Sequence, residues 1–503
     1  MQRSVTWLVF ISMRVKLLLL LLFLGGLYAA AQKNQQALDK YFTGMFQTGQ
    51  FNGNVLVAEN GKVVYEKSFG YADFSGKALN KSSTSFSVAS ITKTITSTAI
   101  LQLQEKGRLC INDHFIKYFP EFPYPAVTIR HLLSHTSLLP SSAFYRLLDS
   151  LQKQKDTFFT NNDVIPALRI LNRPLLEPAA GERGAFSYSN LNYYLLALLV
   201  EKLSGMPYSG YIRKYIFIPA GMTHSSFGEF YFGSDDNLCS EHRYRYYYSD
   251  KLERIDTIAE NQSIFRTYNF KGHGDIVSTT EDLFKYDQAL YNGILLQESS
   301  LGLAYTPVIP GMPDNSGYGF GWSIPHDSTE GKVVLHHGGG LGIEIMLVRN
   351  IAKRQVVILF DNTRNSSFYT ATNALKILNG QYVPAPKYNI AKLYGRALVK
   401  QGIPAANALL SKWKQDTAKY SLSEDAMNFM AYQLLWSDKN DLALEAFRIN
   451  MELFPGSWNS YDSYGEALLK AGRKEEAIKM YKRSIELNPN NEGGKKVLQD
   501  LLK

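Results

Sequence analysis

The chain has 503 residues, 45% of them apolar and 20% charged, an ordinary globular composition in a length that one hydrophobic core does not fill, so more than one domain is expected. Its net charge of +9 is mild for this length, and no dense Lys/Arg run occurs, which excludes nucleic acid as an expected partner. Two cysteines, Cys110 and Cys239, make no disulfide framework; whether they pair is open, and Cys110, in an apolar stretch, reads as a plain core thiol.

Residues 1–31 read as a secretion signal. Arg14 and Lys16 form a basic entry, Leu17 to Leu24 hold only Leu and Phe, and Ala29-Ala30-Ala31 supplies small residues for cleavage before Gln32. Export to the periplasm or beyond the cell is the expectation. The other reading is a retained anchor, for which the apolar run is short, and translation from Met13 rather than Met1 is a further possibility.

Val55 and Val57, then Val63 and Val64 around Asn60-Gly61, predict a hairpin over 51–66. Ile91, Ile95, Ile100, Leu101 and Leu103 predict a helix over 88–106, stopped at Lys106-Gly107. A second apolar helix is expected over 191–204, closed by Gly205. Late strands follow at Val333 to Leu335, Glu344 to Val348 and Val356 to Phe360. Two early strands, a helical middle and three late strands predict one antiparallel sheet built from both ends of a domain, an α/β (α+β) class. The Tyr-rich run Arg243 to Tyr248 reads as alternation in a strand, with stacking on a sugar as the other possibility.

After Pro384-Ala385-Pro386 helix formers dominate. The expected division is therefore a first domain over 32–385 and a helical module over 386–503. In the latter, Ala443 and Ala477, Phe447 and Tyr481, Leu453 and Leu487, and Pro455 and Pro489 are each about 34 residues apart, and two helices per unit at that period resemble the tetratricopeptide repeat.

Three pieces carry chemistry. Ser90-Ile91-Thr92-Lys93 spaces a hydroxyl and an amine three residues apart, on one helix face. A serine nucleophile needs a base, and a buried lysine amine can lose its proton and serve as one. Ser150 with Lys153 and Ser411 with Lys414 share the spacing and read as solvated helix faces; Ser90 differs in opening an apolar helix directly after the strand-like Phe86-Ser87-Val88. Tyr188-Ser189-Asn190 follows a loop signal at Pro178 to Gly181 and precedes an apolar helix. Its phenol could relay a proton if cationic neighbours lower its pKa; the plainer reading makes Tyr188 packing and Asn190 a helix cap. His336-His337-Gly338-Gly339-Gly340 ends an apolar strand, where glycines admit a substrate backbone. Adjacent histidines point to opposite faces of a strand, and no ligand set has metal spacing, so neither metal nor cofactor is implied.

S-x-x-K, then Y-x-N, then a strand ending in [KH]-x-G resembles the serine β-lactamase and penicillin-binding-protein superfamily. Val127 to Ser137 is similar to the "TIRHLLSHTSG" signature of its class C β-lactamase, D-aminopeptidase and esterase branch. Gly274 to Leu283 resembles "GGLVSTAEDL", and Tyr318 to Trp322 resembles "YGLGW". The resemblance covers about residues 40–380. It implies a β-lactamase/transpeptidase-like antiparallel sheet flanked by helices, with an all-helical subdomain. It implies that Ser90 forms an acyl-enzyme, that Lys93 and Tyr188 share the proton work, and that Asn190 holds Lys93 and the substrate amide. Backbone N–H groups of Ser90 and Gly339 would form the oxyanion hole, with His336 and Gly338 in the place of Lys-Thr-Gly. His336 would titrate near about 6.5, within reach of working pH. Leu138 stands where the signature has glycine, and since leucine resists φ > 0 that turn is expected to be reshaped. His131 and His135 are structural by the same resemblance. The resulting expectation is a serine hydrolase of amides or esters (a D-amino-acid peptidase, carboxypeptidase, esterase or β-lactamase-like enzyme). The other reading is a non-catalytic protein that captures a cell-wall or peptide ligand and recruits a protein partner through its repeats.

Overall fold

The computed structural model describes residues 32–152, 158–176, 186–228, 238–258, 268–308, 317–325, 331–365 and 368–503. The signal reading at 1–31, the loop signal at 178–181 and Lys153 lie outside the described residues. Two compact units form: one of residues up to Phe46 with Gln50–His242 and Arg254–Pro384, the other of Gln47–Gly49, Arg243–Glu253 and Ala385–Lys503. Among the described residues no helix is long and apolar enough to cross a membrane.

In the first unit β1 (Gly53–Glu59) and β2 (Lys62–Phe69) form the expected hairpin, turning through Asn60 and Gly61 at φ 50° and 73°. The 88–106 expectation is met by a 3-10 turn, Ala89–Ile91, leading into α1 (Thr92–Glu105), and α2 (Asn190–Ser204) ends at Gly205 with φ 70°. Next come α3 (Thr280–Tyr291), two short strands β3 (Gly317–Tyr318) and β4 (Ser323–Ile324), the three late strands β5 (Val333–Gly339), β6 (Glu344–Asn350) and β7 (Gln355–Asp361), and α4 (Phe368–Leu378). The sheet order is β3-β4-β5-β6-β7-β1-β2, antiparallel throughout, so the chain's early hairpin closes onto its last strand.

Both faces of the central sheet are covered, so β6 and β7 are buried at nearly every position rather than at every second one, whereas the edge strand β2 is exposed at Lys62, Val63, Glu66 and Lys67. Val55, Val57, Met346, Val348, Val357 and Leu359 pack with Phe42 and Met45 of the helix at 32–47 and with Leu375 of α4. Leu56, Val334, Ile345, Leu347, Ile358 and Phe360 pack on the other face with α1, α2 and α3. Helix α1 is buried from Thr92 through Leu103. Its hydroxyls are satisfied by loop carbonyls: Thr96 donates to Gly272 at 2.7 Å and Ser97 to Phe320 at 2.7 Å. A helix buried along most of its length at the centre of the core holds Lys93 in register with Ser90.

Two glycine-related expectations have specific outcomes. At Gly338 a Cβ would stand 2.4 Å from the carbonyl oxygen of Val88, so only glycine lets β5 lie against the turn before Ser90. At Leu138 the expected reshaping does not occur: the residue takes φ 54°, held by Leu176 N–H donating to its carbonyl at 2.8 Å. Cys110 is exposed rather than a core thiol, Cys239 is buried, and both are free. Lysine–acid pairs at the surface contribute little, but Arg349 and Asp287 pair with 1% and 0% of their side chains exposed.

The second unit holds α5 (Ile390–Gln401), α6 (Ile403–Trp413), α7 (Glu424–Trp436), α8 (Asn440–Leu453), α9 (Trp458–Lys470), α10 (Lys474–Leu487) and α11 (Glu492–Leu501); α5 packs on both α6 and α7, and from α7 onward each helix packs on the next. The start and end of α7 recur in α9, and those of α8 in α10, at the 34-residue offset that also separates the bonded pair Tyr432 and Glu466. Ala443, Ala477, Phe447 and Tyr481 are all core residues of this unit. The Tyr-rich run departs from its strand reading. Only His242–Tyr244 is extended; the chain then turns at Tyr246 to Ser249, and Tyr248 enters the helical core. There it lies against Gly395, whose hypothetical Cβ would stand 2.7 Å from that of Tyr248, and its phenol bonds the Ser437 hydroxyl at 2.6 Å. Alternation alone could not show that this short segment belongs to a unit beginning some 135 residues later.

Removing one partner of a buried ion pair leaves an uncompensated charge. Asp287→Ala is therefore expected to destabilise the first unit by about 3–5 kcal/mol, whereas Asp287→Leu combined with Arg349→Met costs less than either single change. Urea unfolding of the three proteins measures this, and a single-variant loss near zero would refute it.

Candidate active site

Ser90 owes its position to a kink. Strand Phe86–Ser87 pairs with Ile276–Ser278, and Val88 N–H donates to the Ile276 carbonyl at 2.9 Å. Ala89 then takes φ 43°, a left-handed conformation that costs an L-residue energy, and the chain turns into the helix with Ser90 at its mouth. One turn on, Lys93 has no exposed surface. Its Nζ lies 2.9 Å from Ser90 Oγ and donates to the His273 carbonyl at 2.8 Å. Burial holds the Lys93 pKa well below the usual lysine range, with the charge of Asp275 opposing. The amine is thereby biased toward its neutral form, the form that can accept a proton from Ser90.

The phenol of Tyr188 meets the Ser90 side chain. As a residue Tyr188 is 44% exposed, but neighbours crowd its phenol end, and this burial raises its pKa above the usual tyrosine value, with the Ser90 hydrogen bond opposing. The expected lowering by cationic neighbours is thus reversed, because burial of the phenol outweighs it. Tyr188 is held as a proton donor. Its ring stacks on His135 at 4.2 Å between centroids, and His135 Nδ1 accepts from Ser189 N–H at 3.1 Å and lies 3.2 Å from the Asn192 amide. His131 shares a capping box with Thr128. Both histidines are structural in this sense, and His135 orders the Tyr188–Asn190 corner. Asn190 is the first residue of α2, not its cap, which is Ser189; its Oδ1 is buried with no hydrogen-bond partner among the described residues.

His336 and His337 point to opposite faces of β5. His337 is half exposed and bonds Glu344 at 2.8 Å. His336 is 4% exposed; its Nδ1 lies 2.8 Å from the His337 carbonyl and its Nε2 2.9 Å from the Tyr318 hydroxyl. The carbonyl can only accept, so the ring proton sits on Nδ1 and Nε2 accepts from Tyr318. Burial, then the charge of Lys93, pushes the His336 pKa down to about 3. The expectation that His336 titrates near working pH is therefore overturned: burial keeps it neutral.

Ser90 stands where two hollows meet. A cavity of 510 Å³ is bordered by Ser90, Asn190, Tyr145, Tyr194, Glu241 and Asp275. A second hollow is bordered by Ser90, Asn190, Tyr188, Tyr318, His336 and Arg364. Gly339 and Gly340, at the end of β5, line both. This arrangement leaves space on each side of a bond attacked by Ser90, and the first cavity is of small-molecule size. The structure brings together Ser90, Lys93, Tyr188, Asn190, His336, Gly338 and Gly339. Ser150 and Ser411 are exposed residues on helices. Among the described residues no group of three His, Cys, Asp or Glu side chains could hold a metal ion. Sequence reasoning missed Glu241, Tyr145, Tyr194 and Arg364, which belong to no motif, and the role of the His273 carbonyl, which no side-chain pattern can signal.

Residues 38–379 match the family model described as Beta-lactamase. Penicillin-binding protein 4* of Bacillus subtilis (strain 168) is 34% identical over 367 residues, covering 71% of this chain and 78% of that protein. Among solved structures, the octameric penicillin-binding protein homologue from Pyrococcus abyssi is similar with TM-score 0.57 and 25% identity, over 73% of this chain and 81% of that one. D-amino acid amidase from Ochrobactrum anthropi SV3, in complex with D-phenylalanine, shares the fold with TM-score 0.55 and 21% identity, over 70% and 98% of the two chains. The match covers nearly all of the first unit, the lysine-backed serine and the glycine-ended strand included, and the chain belongs to the beta-lactamase family.

Proposed function

We propose that this protein is an active hydrolase that cleaves a small amide or ester through an acyl-enzyme on Ser90. The observation that carries this is the buried Lys93 amine 2.9 Å from the Ser90 hydroxyl. Ser90 Oγ attacks the carbonyl carbon as its proton passes to Lys93 Nζ. The N–H groups of Ser90 and Gly339 receive the developing oxyanion. Tyr188, held protonated, then donates to the departing nitrogen or oxygen as the scissile bond breaks, and takes back a proton from Lys93 Nζ, which returns to the neutral amine. Water adds to the acyl carbon by the same route in reverse. Asn190 offers its unpartnered Oδ1 to a substrate amide N–H.

The substrate side favours esters and amino-acid amides over penicillins. Where β-lactamases of the resembled branch carry a strand lysine, His336 is neutral, and Arg364 borders the groove from an exposed position, where solvent weakens its hold on a carboxylate. We further propose export, on the basic and apolar pattern of residues 14–31, with a periplasmic or extracellular location. The 34-residue recurrence supports a tetratricopeptide-like module with a protein partner.

Ser90→Ala is expected to abolish covalent labelling by a fluorophosphonate while the circular dichroism spectrum is kept; a label mapped to Ser150 or Ser411 would overturn the assignment. Because Lys93 must be neutral to act, the labelling rate rises with pH through the Lys93 pKa and levels off well below pH 10. Asp275 raises that pKa, so Asp275→Asn shifts the rising limb to lower pH; a shift to higher pH contradicts the lysine-base reading. His336 is expected to remain the Nδ1–H tautomer from pH 8 to pH 5 in nitrogen NMR, with His336→Gln giving the assignment. Protonation with a midpoint near 6 would show that the buried ring is not shielded as described.

A further inference from the structure

Glu241 is a titratable group at this site that the acylation chemistry leaves unused. It is 9% exposed and borders the 510 Å³ cavity together with Ser90. Its Oε2 accepts from Gly342 N–H at 3.2 Å, and a Cβ added to Gly340 would stand 3.3 Å from that same oxygen. Gly340 directly follows Gly339, so an acyl group lying along the end of β5 reaches this carboxyl. Burial pushes the Glu241 pKa up to about 7; the Gly342 bond opposes and Asp256 adds to it.

Besides Glu241, the cavity lining carries the charged groups Arg254, Asp256 and Asp275. Arg254 borders it, but Nε and Nη2 of its guanidinium already hold both oxygens of Asp256, at 3.1 and 2.7 Å. Asp275, also on the lining and 3% exposed, has an Oδ2 with no hydrogen-bond partner among the described residues. An anionic group placed here would face buried carboxyls of like charge, which is costly. A protonated amine brings up to three N–H donors and the opposite charge. One wall of the cavity is aromatic: Tyr194 stacks on Phe270 at 4.2 Å between centroids and Tyr268 on Phe270 at 5.7 Å.

We propose that Glu241 is a specificity-determining residue that receives the ammonium group of an unblocked amino-acid amide or ester, whose apolar side chain rests on the Tyr194–Phe270 wall. This rests on the reading that the acyl group is transferred to Ser90. It makes the amine, rather than a carboxylate, the charged group by which substrate is selected.

The test separates recognition from chemistry. Full-length Ser90→Ala protein is titrated by calorimetry with phenylalanine amide and with N-acetylphenylalanine amide, each as both enantiomers. The unblocked amide of one enantiomer is expected to bind at least tenfold more tightly than its acetylated form. Adding Glu241→Gln, which keeps an acceptor for Gly342 but removes the charge, is expected to close that gap, and Glu241→Asp to recover part of it. Equal affinity for the blocked and unblocked forms, no measurable binding of either, or a preference that survives Glu241→Gln overturns the proposal. Fluorophosphonate labelling of the wild-type protein is scored separately: an unlabelled Ser90 refutes the acyl-enzyme reading, while the calorimetry still decides whether Glu241 reads the amine.

Discussion

Lys93 sits in the centre of the first unit with no exposed surface, and keeping water from its amine is the condition on which the site depends. An ammonium stripped of solvent without a full set of partners costs several kcal/mol, and each unit by which a pKa falls represents about 1.4 kcal/mol. That cost is borne by the fold around it. Helix α1 is packed on all sides, the Thr96 and Ser97 hydroxyls are tied to loop carbonyls, and β5 closes over the turn before Ser90 because Gly338 has no side chain. Loosening any of these would admit water, restore the ammonium and remove the base.

The same dryness sets the protonation of everything nearby. His336 and His135 are held neutral by burial, and Tyr188 is held protonated. Of the two groups beside the Ser90 hydroxyl, Lys93 is pushed toward the form in which it takes a proton and Tyr188 toward the form in which it gives one. A division of roles between two adjacent groups thus follows from one physical cause acting on an amine and a phenol with opposite effect.

Much of this architecture is legible in the residues. The hairpin at Asn60-Gly61, the two apolar helices and the three late strands carry local signals of period and punctuation, and the Ser90–Lys93 pair declares itself by a spacing that one helical turn makes meaningful. The directions of the Tyr188 and His336 shifts were not legible, because they depend on how deeply tertiary packing buries each group. Leu138 keeps a left-handed torsion against its own preference because a neighbouring strand of backbone holds it. Glu241 lies in no motif and gains meaning only where Gly340 and Gly342 come to it across the fold.

The entry of Tyr248 into the helical core has a bearing on the order in which the chain can fold. The helical unit takes eleven residues, Arg243–Glu253, from the middle of the sequence that otherwise builds the first unit. During synthesis this segment leaves the ribosome long before the helices it completes, with its tyrosines waiting for a core that does not yet exist.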